Sequence, residues 1–111
     1  MLLTFTLDGH EFLALNGGPG VLTGNGPLSL FVQCETQDEI DRYWNALAEG
    51  GKEIRCGWLV DRYGITWQIV PSLLGQLMMD PDKEKVKRVT EAMMGMIKFD
   101  IAGLRQAAEQ K

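Results

Sequence analysis

A chain of 111 residues, 45% hydrophobic and 23% charged with a net charge of −4, can bury one core and has the composition of an ordinary globular domain. Its acidic balance and scattered Lys and Arg argue against a nucleic-acid partner, which needs clustered positive charge. No apolar run approaches the roughly 20 residues that span a bilayer, so a membrane-embedded chain is excluded as well.

Residues 2 to 7, Leu-Leu-Thr-Phe-Thr-Leu, alternate, and Asp8-Gly9 turns the chain into Phe12 to Asn16. An Asp-Gly pair between alternating runs predicts a β-hairpin. His10, the sole histidine, sits beside that turn and reads as an exposed turn residue. The opening residues lack a basic segment and a small-residue cleavage site, which predicts no signal peptide and a cytoplasmic protein. Cys34 and Cys56 are then expected to be reduced and to pack as small hydrophobes. Two cysteines with no CxxC spacing and no clustered histidine make no zinc site.

Residues 16 to 27 hold five glycines and two prolines and are expected to form a loop. They match neither GxGxxG nor GxxxxGK[ST], so a phosphate cradle is not indicated. The loop reads as a connection between two halves of the domain that could close over a ligand. Leu28 to Cys34 is the next strand, with Ser29, Phe31 and Gln33 on one face and Leu30, Val32 and Cys34 on the other. Thr36 with Glu39 forms a capping box, and Ile40, Tyr43, Trp44 and Leu47 recur at helical spacing before Gly50-Gly51 ends the helix.

Lys52 to Val60 and Ile65 to Val70 read as two strands joined by a turn over Asp61 to Gly64, and Pro71, which lacks a ladder donor, ends the sheet. This hairpin carries both Trp58 and Trp67. The last third is helical: a short apolar segment over Ser72 to Met79, a reset at Asp80-Pro81-Asp82, and a helix whose apolar stripe is Val86, Val89, Met93 and Met96 or Ile97. Lys83, Lys85, Lys87 and Arg88 alternate with Glu84 as a solvated face. Asp100 is placed to cap a final helix bearing Ile101, Leu104 and Ala108. Five of the six methionines lie between residues 78 and 96, where adaptable packing is the expected use.

Several runs together carry a resemblance. They are Phe12-Leu13-Ala14-Leu15-Asn16-Gly17-Gly18-Pro19, Asp38-Glu39-Ile40-Asp41-Arg42-Tyr43-Trp44, Cys56 to Gly64, Trp67-Gln68-Ile69-Val70-Pro71 and Ala92-Met93-Met94-Gly95-Met96 with Asp100-Ile101. In these the chain resembles the PhnB-like group of the vicinal oxygen chelate superfamily, which includes glyoxalase I, bleomycin resistance proteins and extradiol dioxygenases. The resemblance implies an α+β fold of two βαβββ modules around a cavity, in a single domain. Residues 1–16 would be the remnant hairpin of a first module lacking its first strand and helix. Residues 28–71 would form the second module, given a small extra strand near 52 to 60, and 72–111 a helical segment. An exposed sheet edge and an uncovered apolar face on that hairpin predict a homodimer in which the partner covers them.

In metal-dependent members of the superfamily, His and Glu on the first and last strands of each module hold a divalent cation that polarises vicinal oxygens. The matching positions here are Ser29 and Gln68, with Ala14 or Asn16 in the first module. None is a strong ligand, so no metal or other cofactor is expected. The resemblance thus points to a small-molecule binding protein with Gln68 and Ser29 as polar anchors and Trp58 and Trp67 as core or cavity wall; Gln68 reads equally well as a structural partner that bonds a neighbouring buried polar group such as Ser29. Two alternatives stand beside it. One is a metal-dependent lyase, isomerase or dioxygenase whose ligands are completed by a partner chain or by His10 and Glu11; the other is a structural module with no site. The ubiquinone-pathway methyltransferase label common in the group has no counterpart in this element order, which lacks the alternating βα units of a doubly wound fold.

Overall fold

The computed structural model describes residues 2–15 and 28–110; the glycine-rich connection expected over 16–27, with Asn16, lies outside them. Strand β1 (Leu2–Leu7) and β2 (His10–Leu15) form an antiparallel hairpin in register Leu3↔Ala14, Phe5↔Phe12 and Leu7↔His10. Asp8 and Gly9 take φ of 50° and 79°, the left-handed pair that a two-residue turn needs to match strand twist. The Phe5 and Phe12 rings stack with centroids 5.4 Å apart. Leu3, Phe5 and Leu7 share that face and remain 57%, 46% and 57% exposed, so the hairpin carries an uncovered apolar surface.

The second sheet begins with β3 (Ser29–Cys34) and continues through helix α1 (Gln37–Ala48) to β4 (Lys52–Glu53), β5 (Trp58–Val60) and β6 (Thr66–Pro71). Its strand order is β3-β6-β5-β4, with β3 and β6 parallel and the other pairs antiparallel. This is one βαβββ module, and the fold class is the expected α+β. The single strand expected over 52 to 60 is broken in two. Cys56 and Gly57 enter the left-handed region at φ of 58° and 83°, and their N–H groups donate to the Met96 and Ile97 carbonyls at 2.9 and 2.8 Å. The chain reverses there in a two-residue turn, Trp58 N donating to Arg55 O at 3.2 Å, so β4 and β5 pair with each other as a tight hairpin. A Cβ at Gly57 would collide with the Phe99 ring, so glycine is required where the two segments meet.

Helix α1 starts as the capping box predicts, with Thr36 Oγ1 accepting from Glu39 N at 3.2 Å. The Glu39 carboxylate accepts from Glu35 N at 3.2 Å, one residue earlier than the usual reciprocal bond. Ile40 and Trp44 are buried against Cys34, Leu59 and Ile69, while Tyr43 of the same stripe stays exposed. Each such aliphatic side chain removed from water contributes roughly 1.5–3 kcal/mol. Trp44 Nε1 donates to Glu53 Oε1 at 2.9 Å, tying the helix to the short β4.

Among the described residues three further helices close the core: α2 (Ser72–Met78), α3 (Lys83–Met94) and α4 (Ile101–Glu109). Val89, Phe99, Ile101 and Leu104 join the same cluster. Met93 and Met96 pack at its edge, whereas Met78, Met79 and Met94 are exposed. Asp82 caps α3 through Glu84 N and Lys85 N.

Two expectations need correction here. Asp100 precedes α4 but makes no side-chain cap; Gln37 of α1 takes that role, its Oε1 accepting from Ile101 N at 2.8 Å while its Nε2 donates to Phe99 O at 2.9 Å. The basic face of α3 is not wholly solvated either. Lys85 pairs with Asp80, and Arg88 donates to the Ala107 and Ala108 carbonyls, covering the end of α4 where carbonyls lack intrahelical partners. Cys34 is buried and Cys56 half-buried, both as free thiols. Among the described residues no helix is long and apolar enough to cross a membrane.

Candidate functional site

Alternation along the strands divides the second sheet into two faces. Residues 30, 32 and 34 of β3 lie with 67, 69 and 71 of β6 and with Leu59, and helix α1 packs on this side through Ile40 and Trp44. Residues 29, 31 and 33 lie with 66, 68 and 70 and with Trp58 and Val60 on the opposite face. There Phe31 is 49% exposed, Gln33 is exposed, and Ser29, Gln68 and Trp58 are half-buried. Val60 and Thr66, at the end of the face near the β5–β6 turn, are buried, so the open part is the stretch around Phe31, Gln33, Gln68 and Trp58, where polar and aromatic side chains mix and a ligand could sit.

The structure brings together three of the four residues singled out by sequence. Gln68 Nε2 donates to Ser29 Oγ at 2.8 Å across the parallel β3–β6 pair. Trp58 lies directly opposite Gln68 on β5, and Phe31 directly opposite it on β3. Trp67 is placed elsewhere. It pairs with Leu59 and Leu30 on the helix-covered face, so the two indoles of one hairpin point to opposite sides of the sheet.

Asp61 explains how Trp67 is held. Trp67 Nε1 donates to Asp61 Oδ2 at 2.9 Å, and Asp61 Oδ1 accepts from Tyr63 N and Ile65 N, each at 2.9 Å. Gly64 adds a left-handed residue at φ 84° and donates to Asp61 O. The indole N–H first, then the two backbone N–H groups and the Arg62 charge, hold the Asp61 carboxyl below its ordinary range against the opposing pull of burial. A carboxylate locked in a turn by three donors is an organiser of the β5–β6 hairpin, and only indirectly of the open face.

Phe31 was assigned to the right face from alternation but not as a site residue. The signal that would have found it is register, since only the parallel β3–β6 pairing sets it beside Gln68. A shallow cleft of about 310 Å³, lined by Leu28, Ser29, Leu30, Gly64, Ile65 and Thr66, opens beside the same face at the start of β3 and β6. Ser29 is common to cleft and face, but the cleft is wide-mouthed and mostly apolar, so it offers little to orient a ligand. The polar chemistry is in the Ser29–Gln68 pair.

A divalent cation, implied by the resemblance, finds a poor donor set. The matching positions are a neutral hydroxyl and a neutral amide already bonded to one another. Ala14 is exposed on β2 and carries no donor, and His10 and Glu11 are exposed on the hairpin. Among the described residues no group of three or more His, Cys, Asp or Glu is gathered as a metal site. These residues do not fit the metal.

Comparison with known proteins gives the family. A solved structure of a PhnB protein from Bacillus cereus, which carries the description 3-demethylubiquinone-9 3-methyltransferase, is 35% identical over 62% of this chain and 62% of that one, with a TM-score of 0.42. The chain therefore spans less than two thirds of that relative's length. No curated protein matches it significantly. Residues 1–70 match the sequence profile of the family described as 3-demethylubiquinone-9 3-methyltransferase. With that match covering more than half of its length, the chain belongs to this family and is a PhnB-like protein.

Proposed function

We propose that this PhnB-like chain binds a small molecule on the open face of the β3–β6–β5 sheet, with Gln68 and Ser29 as polar anchors and Trp58 as wall, and that a second copy completes the cavity. The observation that carries the reading is the Ser29–Gln68 bond set on a solvent-facing sheet surface beside half-exposed aromatic rings. Such a neutral pair contributes little to the core, yet it holds a donor and acceptors in fixed positions, as binding sites do. Trp67 serves the site from behind, by fixing the hairpin through Asp61. The second copy is proposed because Leu3, Phe5 and Leu7 leave an apolar face on the N-terminal hairpin that a monomer would expose to water.

The family's description names methyl transfer to a demethylubiquinone. That activity is not what the described architecture supports. Doubly wound methyltransferase folds place helices on both faces of a parallel sheet with a glycine-rich turn after the first strand, whereas this sheet is mostly antiparallel and open on one side. A shared fold family does not by itself carry a reaction, and the site's own chemistry decides between binding and catalysis.

Thermal-shift measurement against a metabolite library tests the reading. A ligand present at about a hundredfold over its Kd should raise Tm by roughly 10 °C. That rise should disappear in Gln68→Ala. A library in which no compound shifts the wild type more than Gln68→Ala would leave a structural module as the better description.

A further inference from the structure

We infer that the ligand is an uncharged aromatic molecule bearing a carbonyl, amide or hydroxyl group, its ring seated between Phe31 and Trp58 and its polar group on Gln68. This inference rests on the binding reading above and adds the chemical class of the ligand and Phe31 as a contact residue.

The row across the sheet carries the first part. Phe31, Gln68 and Trp58 stand side by side on three neighbouring strands. With strands ~4.8 Å apart, the two aromatic side chains rise from positions about 10 Å apart with the glutamine midway. Two ring-on-ring contacts at about 3.5–4 Å each need 7–8 Å, so, with the Gln68 side chain drawn toward Ser29, the span between the two aromatic positions suits one flat ring and not two. The stacked aromatic pair among the described residues is Phe5 with Phe12, so Phe31 and Trp58 do not close the gap on each other.

Charge carries the second part. Ser29, Phe31, Gln33, Trp58, Val60, Thr66, Gln68 and Val70 share this face, and none of them ionises. Beyond them the same alternation reaches Lys52, on the edge strand opposite Val60, and Glu35, two residues past Gln33 and accepting from Ser72 Oγ at 2.7 Å, each away from the Phe31–Gln68–Trp58 row. A carboxylate or phosphate seated in the row would give up hydration with no counter-charge beside it, and a cation there would have the two ring faces but no carboxylate within the row. The polar partner itself is neutral. The bond to Ser29 uses one amide hydrogen of Gln68, which leaves the amide its other hydrogen and its oxygen to offer a ligand.

Four probes of one shape test this on the full chain: 2-naphthamide, 2-naphthoate, decahydro-2-naphthamide and a naphthyl-trimethylammonium cation, each titrated by calorimetry and by tryptophan fluorescence. The neutral aromatic amide should bind saturably, and the anion, the saturated amide and the cation each about tenfold or more weaker. Phe31→Ala should weaken 2-naphthamide about tenfold through loss of one stacking face, while its Tm stays near wild type because Phe31 is half exposed. Of the three tryptophans only Trp58 lies on this face, so Trp58→Phe should abolish the fluorescence response yet keep calorimetric affinity within a few-fold. Equal or tighter binding of the anion or the cation overturns the inference. So does unchanged affinity in Phe31→Ala, or a Phe31→Ala that dissociates a dimer without altering probe binding, which would make the face an interface between copies. A charged or aliphatic compound from the library whose shift is lost in Gln68→Ala would overturn the aromatic class and leave the binding site standing; no Gln68-dependent shift from any compound would remove both.

Discussion

Asp61 does more at the scale of one residue than its place in a turn would indicate. Both of its oxygens are engaged, and the donor on Oδ2 is an indole that packs on the core side of the sheet. Because its folded-state pKa lies below the unfolded value, its contribution is fully present above about pH 3.9 and drains away as pH falls through the depressed folded value. Asp61→Asn keeps an oxygen for the two backbone donors but turns an amide N–H₂ toward the Trp67 N–H. We expect Tm at pH 7 to fall by roughly 5 °C and the loss of stability below pH 4 to become shallower. Some acid sensitivity should persist, since bonds from Gln37 and Lys98 depress Asp41 and bonds from Lys85 and Asp82 N depress Asp80. A melting curve of unchanged slope in acid would show that Asp61 is not a principal acid-labile tie. The turn itself was legible from Asp61 and Gly64; the partner of the carboxylate was not, because Trp67 reaches it only once β5 and β6 pair.

Elements in this chain form where local signals say they should, and they meet through side chains that no local signal identifies. The capping box and the Asp8-Gly9 turn are short-range patterns and were readable, and the apolar stripes were readable in part: Tyr43 of α1 is exposed, and α3 ends at Met94, short of Met96 and of Ile97, which is exposed. Gln37 is the counter-example. It sits in the first turn of α1 and bonds Phe99 O, Ile101 N and Asp41, fastening α1 to the start of α4 across more than 60 residues of sequence. Gln37→Ala leaves the Ile101 N–H, at the first position of α4, without its side-chain acceptor. We expect a loss of about 1–2 kcal/mol in urea unfolding, with faster amide exchange confined to the first turn of α4. Equal protection of that turn in the variant would show that Asp100 or water substitutes. The strand expected over 52 to 60 is instead a tight hairpin, and the Cys56 and Gly57 N–H groups at its turn bond the segment that leads into α4.

At the scale of the whole molecule the two sheets are unequal. The βαβββ module has a helix-covered face and a core, whereas the hairpin of β1 and β2 exposes Leu3, Phe5 and Leu7. If a second copy covers that surface, light scattering should give twice the monomer mass, and Phe5→Lys should raise the dimer dissociation constant at least about tenfold. A wild type that stays monomeric at high micromolar concentration would refute the proposal. By itself the sequence determined the N-terminal hairpin, the capped start of α1 and the turns, because propensity, capping and alternation act over a few residues; Ser29 and Gln68 entered through the family resemblance. Only the tertiary structure decided which indole shares a face with Gln68, that Phe31 stands on its other side, and that Asp61 and Gln37 are fasteners. Those outcomes depend on strand register and on contacts between distant segments, and a shift of one residue in register would have exchanged the two faces.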